Sequence, residues 1–268
     1  MTKLASPATE LTRFEPHARQ VRLESMHWRA DNLVSCWFTG AELHDFVSPA
    51  GGDHIKLQVP NASGELVAAQ TDPETGRITN RAELGLRDMT PRAIDRDDQR
   101  LRIDIVAHAG GVVGQWLNRA QPGDECAIMG PRGSRQVVEP LDRVIAVVDA
   151  AALPAAERRL DDFQLPGELH LLGIRDVAAL DLPEGVELFE HELKRADDWG
   201  AVAAEVVARI PADERVLIWG AGEAHGVAQL RGRAGELARE GLFGQFNGYW
   251  QVGVAEYDHH ADLPTPTN

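Results

Sequence analysis

The chain has 268 residues, of which 43% are hydrophobic and 26% charged. That is enough apolar sequence for one large domain or two of about 100–150 residues, and too much for a disordered polymer. Its 42 acidic residues against 27 basic ones leave a formal charge of −15, which argues on electrostatic grounds against a nucleic acid or an anionic membrane as partner. No run of about 20 apolar residues occurs, and the N-terminal stretch lacks an apolar segment of signal-peptide length, so a cytoplasmic protein is expected. Cys36 and Cys126 lie in apolar stretches without a CxxC pair, and read as buried structural thiols. Lys3, Lys56 and Lys194 are the only lysines. Anion contacts are therefore expected to use arginine forks.

From about residue 18 to 138, short alternating or β-branched runs are separated by turn residues, the pattern of an all-β antiparallel barrel. Strands are predicted over 21–26, 32–39, 54–59, 100–107 and 125–129. One helix is predicted, over 111–120, ended by the turn Gln121-Pro122-Gly123-Asp124. After Pro140 the pattern changes to strands at 143–148, 168–173, 186–190 and 215–219, alternating with helices at 153–161, 199–209 and 224–240. This predicts an α/β domain with a mainly parallel sheet. The expected division is 1–140 and 141–268, with a solvated tail from Tyr257 that carries Pro264 and Pro266.

Several segments carry chemistry. Arg87-Asp88-Met89-Thr90-Pro91-Arg92 sets two guanidinium forks, suited to a diphosphate, on either side of a hydroxyl. Leu101–His108 runs into Gly111-Val112-Val113-Gly114-Gln115-Trp116, where a helix start offers free amides to phosphate. Pro122-Gly123-Asp124 and Gly130-Pro131-Arg132-Gly133-Ser134 are turns, and Asp53-His54-Ile55-Lys56-Leu57 fits a strand. In the second half, Asp149-Ala150-Ala151-Ala152-Leu153-Pro154-Ala155 is a strand-to-helix turn. Trp219-Gly220-Ala221-Gly222-Glu223-Ala224 and Gly248-Tyr249-Trp250 follow it; glycines at a strand end before a helix suit a nucleotide crevice.

In this order, over roughly residues 18–257, these segments resemble the siderophore-interacting protein family, FAD-dependent ferric-siderophore reductases of the ferredoxin-reductase-like superfamily. The resemblance implies an FAD-binding barrel followed by an NAD(P)H-binding-like domain, using NADPH or NADH. It assigns Arg87 and Arg92 to the flavin diphosphate, Met89 to the position of a stacking tyrosine and Thr90 to the flavin's reactive nitrogen. His108 and the helix start Gly111, Val112, Val113 and Gly114 would also contact the cofactor. Asp149, Ala152, Gly220, Gly222 and Glu223 would line the nucleotide crevice, and Lys56 would face the ferric substrate.

The sequence departs from the family pattern at several of these positions. Met89 replaces tyrosine, Gly114 a hydroxyl residue, Val148 a glycine, Ala151 a threonine, and Gln251 a basic residue. Valine resists the positive φ that glycine permits. Three functions stay open at this point. One is NAD(P)H:ferric-siderophore reduction, in which electron transfer requires no acid–base residue. Another is binding of flavin or a ferric complex without nucleotide turnover, with a ferredoxin as a conceivable electron donor. The third is flavin reduction serving another acceptor. Asp258-His259-His260 on the tail makes a poor metal site, and no spacing supports a hydrolase triad.

Overall fold

A computed structural model describes residues 3–15, 17–75, 78–108, 110–194, 198–255 and 257–265; Pro266 of the expected tail lies outside them. The chain forms two compact units, one of residues 11–135 and one of residues 1–10 with 136–268.

The first unit holds strands β1 (Thr9–Arg13), β2 (Ala18–Ala30), β3 (Leu33–Thr39), β4 (Ile55–Val59), β5 (Gly85–Met89), β6 (Pro91–Asp95), β7 (Arg100–Val106), β8 (Glu125–Met129) and β9 (Gly133–Val137), with one short helix, α1 (Val112–Leu117). The chain passes between the units within β1 and again within β9. Seven strands form an antiparallel sheet in the order β5-β4-β8-β2-β3-β7-β6. The outermost strands, β5 and β6, are separated in the chain by Thr90 alone. A sheet whose two edge strands are joined by one residue must curl until those edges meet, and the result is a half-barrel.

Alternate residues point inward along each strand. Val21 and Leu23, Val34, Cys36 and Phe38, Ile55 and Leu57, Leu101, Ile103 and Ile105, and Cys126 and Ile128 meet in one core, which Val113 and Trp116 of α1 help to fill. Burial pushes both thiols up to about 12, assisted by Asp104 at Cys36 and by Asp124 and Cys36 at Cys126; neither is a nucleophile near neutral pH. One buried charge cluster accompanies this core. Asp104 accepts from Arg29 at 2.5 Å, from Arg102 at 2.8 Å and from the Ser35 hydroxyl. Burial raises the Asp104 carboxyl, but the bonds and charges of Arg102, Ser35 and Arg29 outweigh it and hold the group below the usual range.

The second unit contains β10 (Arg143–Asp149), α2 (Leu153–Phe163), β11 (Gly167–Leu172), β12 (Val186–His191), α3 (Asp198–Arg209), β13 (Val216–Glu223), α4 (Ala224–Gly235) and β14 (Leu242–Trp250). The five strands are parallel in the order β12-β11-β10-β13-β14. Ile145, Val147, Leu172, Val216 and Ile218 face Val202 and Val206 of α3 and Val227 and Leu230 of α4. Val144, Ala146 and Val148, pointing to the other face, are also buried, and α2 packs there against β10 and β11. Leu4, from the far N-terminus, sits in the same core as α3 and α4. Beside it Ala5 bridges Phe243 and accepts a bond from the Gly244 amide, so the N-terminal residues line the outer edge of β14.

The predicted elements all occur, the strand at 125–129 with the same ends and the others with shifted ones, but five strands are missing from the sequence-based prediction: β1, β5, β6, β9 and β14. Of these, β5 and β6 carry arginine and aspartate at half-buried positions and β6 opens on a proline, so no period-2 apolar pattern marks them. The predicted helix at 111–120 is six residues long, and the helix from Ala224 ends at Gly235, five residues before Glu240.

Candidate flavin and nucleotide sites

Within the half-barrel, the meeting of its two edges creates the first candidate site. Arg87 and Met89 lie on β5, Arg92 on β6, and Thr90 between them, all half-buried. Among the described residues no strand pairs with the outer side of β5 or β6, so backbone donors at this seam are not used up by a sheet ladder. Arg87 donates from a terminal nitrogen to the Leu86 carbonyl at 2.7 Å. Met89 packs on the barrel core; its thioether is soft and polarisable enough to lie against an aromatic face. Lys56, directly across from Asp88 in the β4–β5 ladder, is ion-paired with it at 2.5 Å. The predicted substrate-side cation is thus balanced by a neighbouring carboxylate.

Helix α1 packs against β4 and β5 and so adjoins this seam. Gly111 is its N-cap, in extended conformation and without a side-chain cap; Val112 is half-buried and Val113 is in the core. His108 is exposed, and its ring lies against Gly111. At Gly114 a Cβ would stand 2.0 Å from the His108 carbonyl oxygen, closer than any contact allows. The chain turns so tightly from His108 into the helix that only glycine fits there. The absent hydroxyl at Gly114 therefore follows from local packing.

The donor set at this seam suits the diphosphate of FAD: two arginine forks, a hydroxyl and unladdered amides in an otherwise acidic chain. Asp88 on β5 is ion-paired with Lys56.

The second site lies in the parallel-sheet unit, where strand order reverses between β10 and β13. Ligands of open α/β sheets bind at such a switch point, beyond the carboxyl ends of the strands. Here Asp149 ends β10. Its Oδ2 accepts from the Trp250 indole at 2.8 Å and the Glu223 amide at 2.9 Å, while Oδ1 accepts from the Ala151 amide at 2.9 Å. Burial pushes its carboxyl up to about 6 against the lowering effect of these donors. Gly222, with φ of +141°, leaves the space that this carboxylate occupies, since a Cβ there would lie 2.4 Å from Oδ2. Glu223 is the N-cap of α4, one oxygen accepting from the Gly226 amide at 2.9 Å and the other from the Val252 amide at 3.3 Å.

Ala152 is the buried N-cap of α2, and Gly220 lies inside β13 beside Leu230 and Phe246. Val148 sits within β10 and is not among the residues of positive φ, so the turn is built without the family glycine. Gln251 approaches His225 of α4 at 3.3 Å. The carboxylates of this crevice, Asp149 and Glu223, already accept from neighbouring amides and from the Trp250 indole. The crevice fits a ribose hydroxyl or a carboxamide and does not fit a phosphate.

Trp250 is a residue of this crevice that spacing alone does not reveal. Its motif marked it, but only the fold brings its indole onto Asp149, 101 residues away. The tail histidines His259 and His260 lie ring to ring at 4.0 Å, with the His260 amide bonded to Asp258 at 2.9 Å.

A curled antiparallel sheet followed by a parallel sheet with a crevice at its switch point is the fold of ferredoxin-reductase-like proteins, and solved structures of that type share it. Residues 22–135 match the family described as the siderophore-interacting FAD-binding domain. The chain is 32% identical over 198 residues to the NADPH-dependent ferric-chelate reductase of Escherichia coli, covering 72% of this chain and 77% of that one. It is 26% identical over 243 residues to the ferric vibriobactin reductase ViuB of Vibrio cholerae, covering 86% and 88%. A siderophore utilization protein from T. fusca superposes with a TM-score of 0.81 at 26% identity, covering 95% of this chain and 100% of that one. The chain belongs to the siderophore-interacting protein family.

Proposed function

We infer that the protein is an enzyme that uses FAD to pass electrons from NAD(P)H to a ferric siderophore or related ferric chelate, releasing the iron. The observation that carries this reading is the pair of arginines flanking Thr90 where the two sheet edges meet, within the segment that matches the FAD-binding family. Residues 1–140 would hold the flavin and 141–268 the nucleotide. Arg87 and Arg92 would hold the diphosphate, and Thr90 would orient the ring edge with Met89 against its face. His108 and the α1 start from Gly111 to Gly114 would approach the same cofactor. When bound, FAD supplies the conversion of a two-electron hydride into one-electron deliveries to Fe(III). Iron leaves because hard oxygen donors hold Fe(II) far less firmly than Fe(III). Lys56 would meet the ferric ligand as a cation already balanced by Asp88, which favours a chelate of modest negative charge.

At the nucleotide crevice Asp149 would brace the Glu223 and Trp250 segments and Glu223 would accept from the carboxamide or ribose, with Ala152, Gly220 and Gly222 shaping the floor and the phosphates lying elsewhere. A second reading has the electrons arrive from a ferredoxin, and the two carboxylates at the switch point, which do not suit a nucleotide's phosphates, favour it. Buried thiols and the lack, among the described residues, of a helix long and apolar enough to cross a membrane suit a cytoplasmic location; the acidic surface suits neither nucleic acid nor an anionic bilayer as partner.

FAD titration followed by visible absorbance tests the reading. Wild-type protein should take up one flavin, bleach on addition of NADPH, and yield Fe(II) from a ferric chelate in the presence of an Fe(II) trap. Arg87→Ala and Arg92→Ala should each weaken FAD binding about 10–100-fold, the loss of one charge-assisted contact. Absence of flavin uptake at saturating FAD would refute the reductase reading, whereas bleaching by reduced ferredoxin but not by NADPH would select the second one.

A further inference from the structure

Away from both candidate sites, the α/β unit carries a cluster of side chains that electron transfer does not use. On the face of the sheet covered by α3, His170 of β11 is fully buried, and its ring stacks on Phe189 with centroids 4.8 Å apart and on His191 at 5.2 Å. Its Nε2 lies 2.8 Å from a Glu168 oxygen and its Nδ1 lies 3.0 Å from His191 Nε2. A carboxylate only accepts, so the Nε2 proton belongs on His170 and points at Glu168. The Nδ1 lone pair then faces His191. Arg209 of α3 donates to Glu168 at 3.1 Å and covers the Phe189 ring at 4.3 Å, which fixes the carboxylate behind His170.

In front of the two rings stands Glu205 of α3, half-exposed, one oxygen 4.0 Å from His191 Nδ1. That is too far for a hydrogen bond. Among the described residues His191 is its one ion-pair partner. One nitrogen from each histidine and one Glu205 oxygen all lie within 4.8 Å of one another.

We propose that His170, His191 and Glu205 bind one divalent first-row transition-metal ion, with Glu168 orienting His170 from behind. Two imidazoles and a carboxylate are the donor set of three-ligand sites that leave a coordination position open. A carboxylate on the far nitrogen of a ligating histidine is the usual outer support, fixing the tautomer and strengthening the donor. The spacing is close to what is needed. Nitrogens each about 2.0–2.1 Å from a tetrahedral ion stand about 3.3 Å apart, so the two rings open by a few tenths of an ångström as the ion takes the place of the proton between them. Glu205 is exposed enough to swing in. Entry is from the solvent side of α3, and the chain's charge of −15 favours a cation there.

The test uses the full chain with His259→Ala and His260→Ala, which removes the tail imidazoles, and takes Zn²⁺ and Co²⁺ as probes. Calorimetry should give one equivalent of Zn²⁺, Co²⁺ should develop a visible ligand-field band, and Zn²⁺ should raise Tm by mass action. Glu205→Gln should weaken Zn²⁺ binding about tenfold or more and His191→Ala about 100-fold or more, with Tm in excess chelator like that of the parent to show that both variants fold. No binding of either ion in the parent would overturn the proposal. So would unchanged affinity in both folded variants, leaving Glu168, His170 and His191 as a buried hydrogen-bond relay.

Discussion

Asp149 is the residue on which the sequence motifs of the second unit converge. The strand-to-helix turn supplies the carboxylate, the Gly-x-Gly segment supplies the Glu223 amide and a vacant Cβ position, and the Gly-Tyr-Trp segment supplies the indole. The first two motifs were legible in the sequence as candidate nucleotide contacts and the third as a family signature; that they bond to one another was not, because residues 149, 222 and 250 become neighbours only through the connections that carry the chain from β10 to β14. The energetics follow from the raised pKa. An aspartate at 3.8 when unfolded and about 6 when folded stabilises the protein most below pH 4, where it is protonated in both states. It loses that contribution as pH rises through about 6, by roughly 3 kcal/mol for a shift of that size. Asp149→Asn removes the titration. Urea denaturation from pH 4 to pH 8 should therefore show wild type losing stability relative to the variant across that window, and parallel profiles would mean that Asp149 is not desolvated. Gly114 teaches the complementary lesson. Read from the sequence it is a lost hydroxyl donor, while in the fold it is the one residue that fits against the His108 carbonyl.

At the scale of elements, helix ends and edge strands decide what the site can be. The N-terminus of α4 is capped by Glu223, whose two oxygens serve Gly226 and Val252, joining the helix to the segment after β14. Glu223→Ala should cost about 1–2 kcal/mol, the usual worth of a cap, measurable as a lower Tm. A loss below a few tenths would show the cap to be replaced by water. Periodicity exposed the elements whose apolar positions repeat, such as β3, β7, β10 and α3. It missed β5 and β6, whose half-buried arginines and aspartates face a seam that is neither core nor open solvent. It also missed β14, where glycines at 244 and 248 and the polar Gln245 and Asn247 interrupt the aromatic residues. Strands with half-buried charges or interior glycines lack the clean alternation that marks strands built only to pack.

For the whole molecule, a charge of −15 sets the terms on which an anionic ferric chelate arrives. The Debye length shrinks from about 30 Å at 0.01 M salt to about 8 Å at 0.15 M. Repulsion at long range should fade accordingly, and kcat/KM for an anionic chelate should rise several-fold over that interval while a neutral chelate shows no change. A fall with salt would mean that a local cation such as Lys56 governs capture despite its pairing with Asp88. The composition had this property in plain view; the discontinuity of the α/β unit it did not. Leu4 and Ala5 belong to the core and edge completed by β14, with the half-barrel inserted between. During synthesis the segment around Leu4 must then wait for β14, more than 230 residues later. The half-barrel has its whole sequence by residue 135 and can fold as a unit while synthesis continues, whereas the α/β unit closes only after Trp250 has emerged and β14 can take the Leu4–Ala5 segment along its edge.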